Sequence, residues 1–222
     1  MWSDQVWAVV RKDVLIEARS KANLNAMIFF AGIVVLIFSF ALGPNVARLQ
    51  VAAPGILWLA FLFAGVLAFT RVYQLEEENA AFEGLLLVAR NRSAIYAGKV
   101  LGATIVMIVI EALVLPVMAI LYNLDLWASI PQLFLIGILG TLGFAAVGAL
   151  YGALTMSLRA REVLLPLLLL PIAVPVILGS VKATGYIFAG HGDYHLWLEL
   201  LVAFDVIFIT SGFLTFDHLF AE

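Results

Sequence analysis

The stretch from Val100 to Tyr122 reads VLGATIVMIVIEALVLPVMAILY and carries a single charged residue, Glu111. A helix that crosses the roughly 30 Å hydrocarbon layer of a bilayer needs about 20 apolar residues, so this stretch decides the fold class as helical and membrane-spanning. Five further stretches meet the requirement: about Ala26 to Leu42, Val51 to Thr70, Leu133 to Leu158, Val163 to Val181 and Leu196 to Phe216. Six spans take up more than half of the 222 residues, and the loops between them are too short for a separate soluble domain. Residues 1–222 are therefore expected to form a single all-α transmembrane domain. A β-barrel would alternate apolar and polar residues in segments of about ten, and runs such as Val163 to Leu170 do not alternate.

Composition agrees. Apolar residues make up 64% of the chain and charged ones 12%, against about half and a quarter in soluble domains. Twelve Lys and Arg against 15 Asp and Glu leave a net charge of −3, with no basic excess to meet the phosphates of nucleic acid. Without cysteine there is no disulfide scaffold, thiolate metal site or cysteine nucleophile.

Lys and Arg concentrate in cytoplasmic loops. Arg11, Lys12, Arg19 and Lys21 precede the first span; Arg71, Arg90, Arg92 and Lys99 separate the second from the third; Arg159 and Arg161 separate the fourth from the fifth. Only Arg48 and Lys182 fall on the other side, so both termini are expected in the cytoplasm.

Two segments outside the spans carry a helical pattern. Over residues 1–21, Trp2, Val6, Trp7, Val10, Val14 and Leu15 recur at spacings of three and four among Asp4, Arg11, Lys12, Glu17 and Arg19, as in an amphipathic helix lying in the membrane interface. Residues 73–92 begin with the acids Glu76, Glu77 and Glu78, continue through Phe82, Glu83, Gly84, Leu85 and Leu86, and end on Arg90 and Arg92. Acids at the start and bases at the end match a helix dipole, so this segment is expected to be a short cytoplasmic helix. It is either a docking element for a soluble partner or a solvated connector.

Catalytic chemistry finds little purchase. The nearest approach to a phosphate-binding loop, Ser93 to Val100, has Gly98-Lys99 but lacks the first glycine and the final hydroxyl, so ATP hydrolysis is not expected of this chain. Intramembrane proteolysis needs a Ser/His pair or two aspartates inside the spans, and only Asp205 lies well inside one. His191 and His195 flank Gly192-Asp193-Tyr194, a glycine-rich setting that does not favour metal or heme ligation by a helical pair. No metal is expected.

Ionisable groups inside a bilayer are expensive and mark function by default. Glu111 sits mid-way along the third span and Asp205 in the sixth, each suited to a polar path or gating contact, or to bonding between helices. Glu199 is placed near the surface. Gly148 and Gly152 in the fourth span, and Gly98 and Gly102 at the start of the third, have the G-x-x-x-G spacing that permits close helix approach. Pro166, Pro171 and Pro175 punctuate the fifth span, each removing a backbone donor.

An interfacial N-terminal helix, six spans and a charged amphipathic segment between the second and third resemble the permease subunits of ABC-2 type transporters. More specifically, Phe82-Glu83-Gly84-Leu85-Leu86-Leu87 with Ala97-Gly98-Lys99 resembles the heme exporter B (cytochrome c maturation protein B) family. So do Leu139-Gly140-Thr141 through Gly148-Ala149-Leu150, Ala153-Leu154-Thr155, Val163-Leu164-Leu165-Pro166 and Leu170-Pro171-Ile172-Ala173-Val174-Pro175-Val176. The resemblance covers essentially the whole chain, with one departure: Ala89-Arg90 stands where the family pattern has Ser-Pro.

The resemblance implies a multi-pass permease of the bacterial inner membrane that pairs with a separate cytoplasmic ABC ATPase, with residues 73–92 as the coupling helix. It also implies a heme-handling membrane protein, a small accessory membrane subunit, a periplasmic heme chaperone and a possible second permease copy as partners. ATP acts through the ATPase, heme is handled by the complex, and this chain itself binds no cofactor. Export of another substrate such as a lipid or drug, or a non-transporting scaffold, are the alternatives.

Overall fold

A computed structural model describes residues 2–78, 81–89, 91–156, 158, 161–190 and 192–219, except for the side chains of 78, 83, 88, 128, 161, 162, 217 and 219. Within these residues the chain is helical: α1 (Trp2–Arg19), α2 (Lys21–Leu42), α3 (Val46–Glu78), α4 (Ala81–Val88), α5 (Arg92–Tyr122), a 3-10 turn (Trp127–Ser129), α6 (Ile130–Thr155), α7 (Arg161–Ala189) and α8 (His195–Leu219). Six of these helices, α2, α3 and α5 to α8, are long and apolar enough to cross a membrane. The chain is an integral membrane protein.

Most helices run past the apolar stretches that announce them. The hydrocarbon layer limits where apolar residues are needed, whereas backbone hydrogen bonding continues for as long as nothing breaks it. α3 is the clearest case: its 33 residues measure about 50 Å at 1.5 Å per residue, more than a whole bilayer of about 40–45 Å. The expectation of one helix over residues 73–92 is therefore corrected. Glu76, Glu77 and Glu78 end α3, α4 is a separate helix of 8 residues, and Arg92 opens α5. The acids stand at a helix C-terminus, where the dipole opposes them, so something else must hold them. Likewise Lys182 belongs to α7 rather than to a loop, and α7 passes through Pro166, Pro171 and Pro175 as one helix.

Turns fall where the backbone requires them. Gly43 takes φ +72 and precedes Pro44 at the end of α2, and Asn123 adopts the left-handed conformation that caps α5. Gln50 then donates to the Asn123 carbonyl at 2.8 Å, tying the start of α3 to the end of α5.

α6 is the axis of the bundle, packed against α5, α7 and α8, with Ala145, Ala146, Val147 and Ala149 fully enclosed. α3 meets it through rings set on glycines. The indole of Trp58 covers Gly140, Phe69 covers Gly148 and Tyr73 covers Gly152, while Phe144 of α6 covers Gly65 of α3. The Gly148 and Gly152 spacing thus receives aromatic rings, not the closely approaching backbone expected of it. At Gly98 the expectation holds, since a Cβ there would lie 3.0 Å from the Val6 carbonyl oxygen of α1.

Candidate functional site

α1 is held to α5 by a small apolar seam. Val6 and Val10 are buried against Ala94 and Ala97, with Val14 beside them. Trp7 and Leu15, expected on the same face, turn outward and are exposed, so the apolar residues of α1 divide between the bundle and its surroundings. The helix ends at Arg19; Ser20 leaves the helical region, and Lys21 already belongs to α2.

The same seat brings charges together. Gly102 leaves room for Asp13, whose Cβ would stand 3.3 Å from an added methyl. Asp13 Oδ2 lies 3.2 Å from Lys99 Nζ, and Asp13 Oδ1 lies 2.8 Å from Lys12 Nζ. Lys12 reaches across to Glu76 Oε1 at 2.5 Å, and Lys99 donates to the same oxygen. Lys99 stands 5.4 Å from the centre of the Tyr73 ring, and the Tyr73 hydroxyl donates to the Ala149 carbonyl of α6 at 2.8 Å. Three helices, α1, α3 and α5, are thereby pinned at one point, with α6 attached through Tyr73.

The electrostatics fit the geometry. Burial works to lower the Lys12 ammonium, but Asp13 and Glu76 outweigh it and the group stands above its ordinary value. Lys99 is only 3% exposed and Glu76 is buried, so neither charge is sustainable without the other: removing one partner of a buried pair costs about 3–5 kcal/mol. These cations are what hold the acids at the C-terminus of α3. Next to the junction, Glu17 accepts a hydrogen bond from Asn23 at 2.5 Å and braces the corner between α1 and α2.

α4 lies beside this junction. Phe82 is buried, Leu85 and Leu86 are half-buried, Gly84 is exposed, and Leu87 points away with 88% exposure. A depression lined by Val9, Leu85 and Ile95 lies between α4, α1 and α5. Of the other residues expected in a coupling segment, Glu77 is exposed and Arg92 half-buried. Arg90 and the side chains of Glu78 and Glu83 lie outside the described residues. The sequence pattern presents Glu76 as an exposed docking charge and does not show Lys12 and Lys99 as its partners; a lysine immediately before the third apolar run is the available signal.

At membrane depth the carboxyls have no such company. Glu111 accepts a hydrogen bond from Thr141 of α6, and Trp58 donates to Thr184 at 3.0 Å nearby. Asp205 is 4% exposed, abuts Gly143, and neither of its oxygens has a hydrogen-bond partner. Glu199 is exposed. His195 begins α8, its backbone N–H bonded to Asp193 Oδ1 at 2.8 Å; His191 lies outside the described residues. Among the described residues no three His, Asp or Glu gather as a metal site.

Comparison with known proteins gives one consistent answer. A family model described as CcmB protein matches residues 4–218. The chain is 32% identical over 200 residues to heme exporter protein B of Pseudomonas aeruginosa, covering 88% of this chain and 87% of that protein. It is 27% identical over 206 residues to heme exporter protein B of Bradyrhizobium diazoefficiens, covering 92% of each. To heme exporter protein B of Escherichia coli K12 it is 30% identical over 181 residues, covering 80% of each.

Proposed function

The chain belongs to the CcmB protein family, and from that premise we propose that it is the permease subunit of a heme exporter complex in the bacterial inner membrane, driven by a separate cytoplasmic ATPase. Both termini, α1 and α4 face the cytoplasm, and α1 lies along the membrane interface with Trp7 and Leu15 toward lipid. The ATPase docks on the exposed side of α4, with Leu87 at the centre. Heme is held by a membrane partner with its small accessory subunit and passes to a periplasmic chaperone, whose release is linked to ATP hydrolysis.

The observation that carries this proposal is the junction of Lys12, Asp13, Glu76 and Lys99 beside α4. A displacement of α4 shifts the end of α3 to which it is linked. Glu76 then draws Lys99 and Lys12, so α5 and α1 follow, and Tyr73 carries the movement to α6. Apolar contacts alone would let the helices slip past one another; charge-assisted bonds are directional and hold one geometry.

Docking and transmission can be tested separately. Leu87→Glu should reduce ATPase copurification while the membrane level of the chain stays unchanged, since an exposed side chain adds little to fold stability. Cells carrying it should lose heme attachment to c-type cytochromes and keep their b-type cytochromes. Unchanged copurification would return α4 to the role of a connector, and loss of both cytochrome types would point to general heme supply instead.

A further inference from the structure

Glu111 lines a cleft that the heme reading does not use. The cleft, about 190 Å³ in volume, runs between α3, α5, α6 and α7 and is walled by Leu57, Trp58, Phe61, Leu115 and Phe134. Ile130 and Phe134, in the first two turns of α6, line it and are both exposed. Glu111 precedes the end of α5 by eleven residues, about 16 Å at 1.5 Å per residue, so its carboxyl is deep in the apolar layer.

The carboxyl is held from one side only. Oε1 accepts the Thr141 hydrogen bond, while Oε2 faces Gly137, where a Cβ would stand 2.9 Å away. Glycine at 137 is what leaves that oxygen open to the cleft. The Trp58 N–H is given to Thr184 and is not free to bond the carboxyl. No Lys, Arg or His lines the cleft. A lone carboxyl in such surroundings is a strong acceptor with no counter-charge.

We propose that this cleft is a binding site for a small lipophilic amine, whose nitrogen bonds Glu111 Oε2 and whose alkyl chain lies against Trp58, Phe61 and Phe134. One proton is shared between carboxyl and amine, so the pair is neutral overall and suits the low dielectric that penalises either charge alone. An alcohol offers only a neutral hydrogen bond, roughly half as strong. The volume falls below the about 300–1,000 Å³ of pockets for drug-sized ligands, which fits a short alkyl chain and excludes a macrocycle.

The test uses the full chain in lipid nanodiscs with Trp2, Trp7, Trp127 and Trp197 replaced by phenylalanine, so that Trp58 alone fluoresces. Octylamine should change its emission saturably, whereas octanol and octyltrimethylammonium, which lack the charge or the N–H, should bind at least tenfold more weakly. Glu111→Gln should weaken octylamine at least tenfold and leave octanol unchanged. Gly137→Ala should have the same effect with Glu111 in place, and it decides the matter if the first variant fails to fold. Equal titration by octanol, or undiminished octylamine binding in Gly137→Ala, would show partition into lipid and overturn the site. Neither outcome bears on the heme exporter assignment, which is read from cytochromes.

Discussion

Glu76 and Asp205 are both buried carboxyls in the same bundle, and their surroundings are opposite. Glu76 receives a lysine from α1 and another from α5, so its charge works as a fastener between three helices. Asp205 lies against Gly143 and bonds to nothing. At the end of the bundle that holds α1, long lysine side chains are brought in charged, and Asp13 and Glu76 share Lys12 and Lys99. At membrane depth that is prohibitive, and a carboxyl stays without a counter-ion. Charge joins helices in one region; in the other it is avoided or left for a visitor to satisfy.

The contrast depends on which end faces the cytoplasm, and orientation has an all-or-none readout. A reporter fused after Glu222 should be active only in the cytoplasm, and one inserted at Asp125 only outside. Reversal at either place would dissolve the cytoplasmic half of the comparison.

Next in size is the loss of a fastener. Lys99→Met leaves Asp13 and Glu76 short of a buried cation and should destabilise the chain by about 3 kcal/mol, the lower end for a broken buried pair because Lys12 remains. Thermal unfolding in detergent measures this. Pairing it with Glu76→Gln should restore most of the stability, yet the double variant should still fail to mature c-type cytochromes, because the linkage is gone. Full maturation in the double variant would reduce the junction to packing.

Asp205→Asn should do far less. The side chain has no bonded partner to lose, so stability should stay within about 1 kcal/mol of the parent, in contrast to Lys99→Met. A large loss would reveal that Asp205 is fastened after all.

The smallest effect concerns Glu17 at the rim of the junction. Burial raises its carboxyl above the ordinary value, with the Asn23 bond acting against the rise. A raised acid favours the protonated folded form, so the charge penalty is absent below the ordinary carboxylate range and complete above the raised value. Stability should therefore increase slightly as the pH falls through that window, and Glu17→Gln, having no proton to gain, should show a flat profile there.

Much of this architecture is legible in the sequence because lipid imposes a length: six apolar stretches give six helices. Helix ends are less so, since hydropathy marks the hydrocarbon layer while α3 continues to Glu78 and α7 to Ala189. The junction is hidden for a different reason. Lys12 and Glu76 are 64 positions apart and Lys99 is 23 further on, and periodicity within one segment cannot say which distant residues will meet. The glycine pairs show the same limit. Gly98 and Gly148 have identical spacing to their companions, but one meets Val9 and the backbone of α1 and the other a ring, and only the neighbouring helix decides which.

Trp58, Phe69 and Tyr73, seated on Gly140, Gly148 and Gly152, make α3 and α6 resemble a toothed rod in a matching rack. Phe69 and Tyr73 are one helical turn apart, as are their seats. A slide shorter than that turn, about 6 Å, drives a ring into a neighbouring side chain instead of a glycine. Small forces are therefore not absorbed by creep between the two helices. Whatever load arrives near Glu76 travels along both as a single strut, and reaches the depth of Trp58 and Gly140 without being lost on the way.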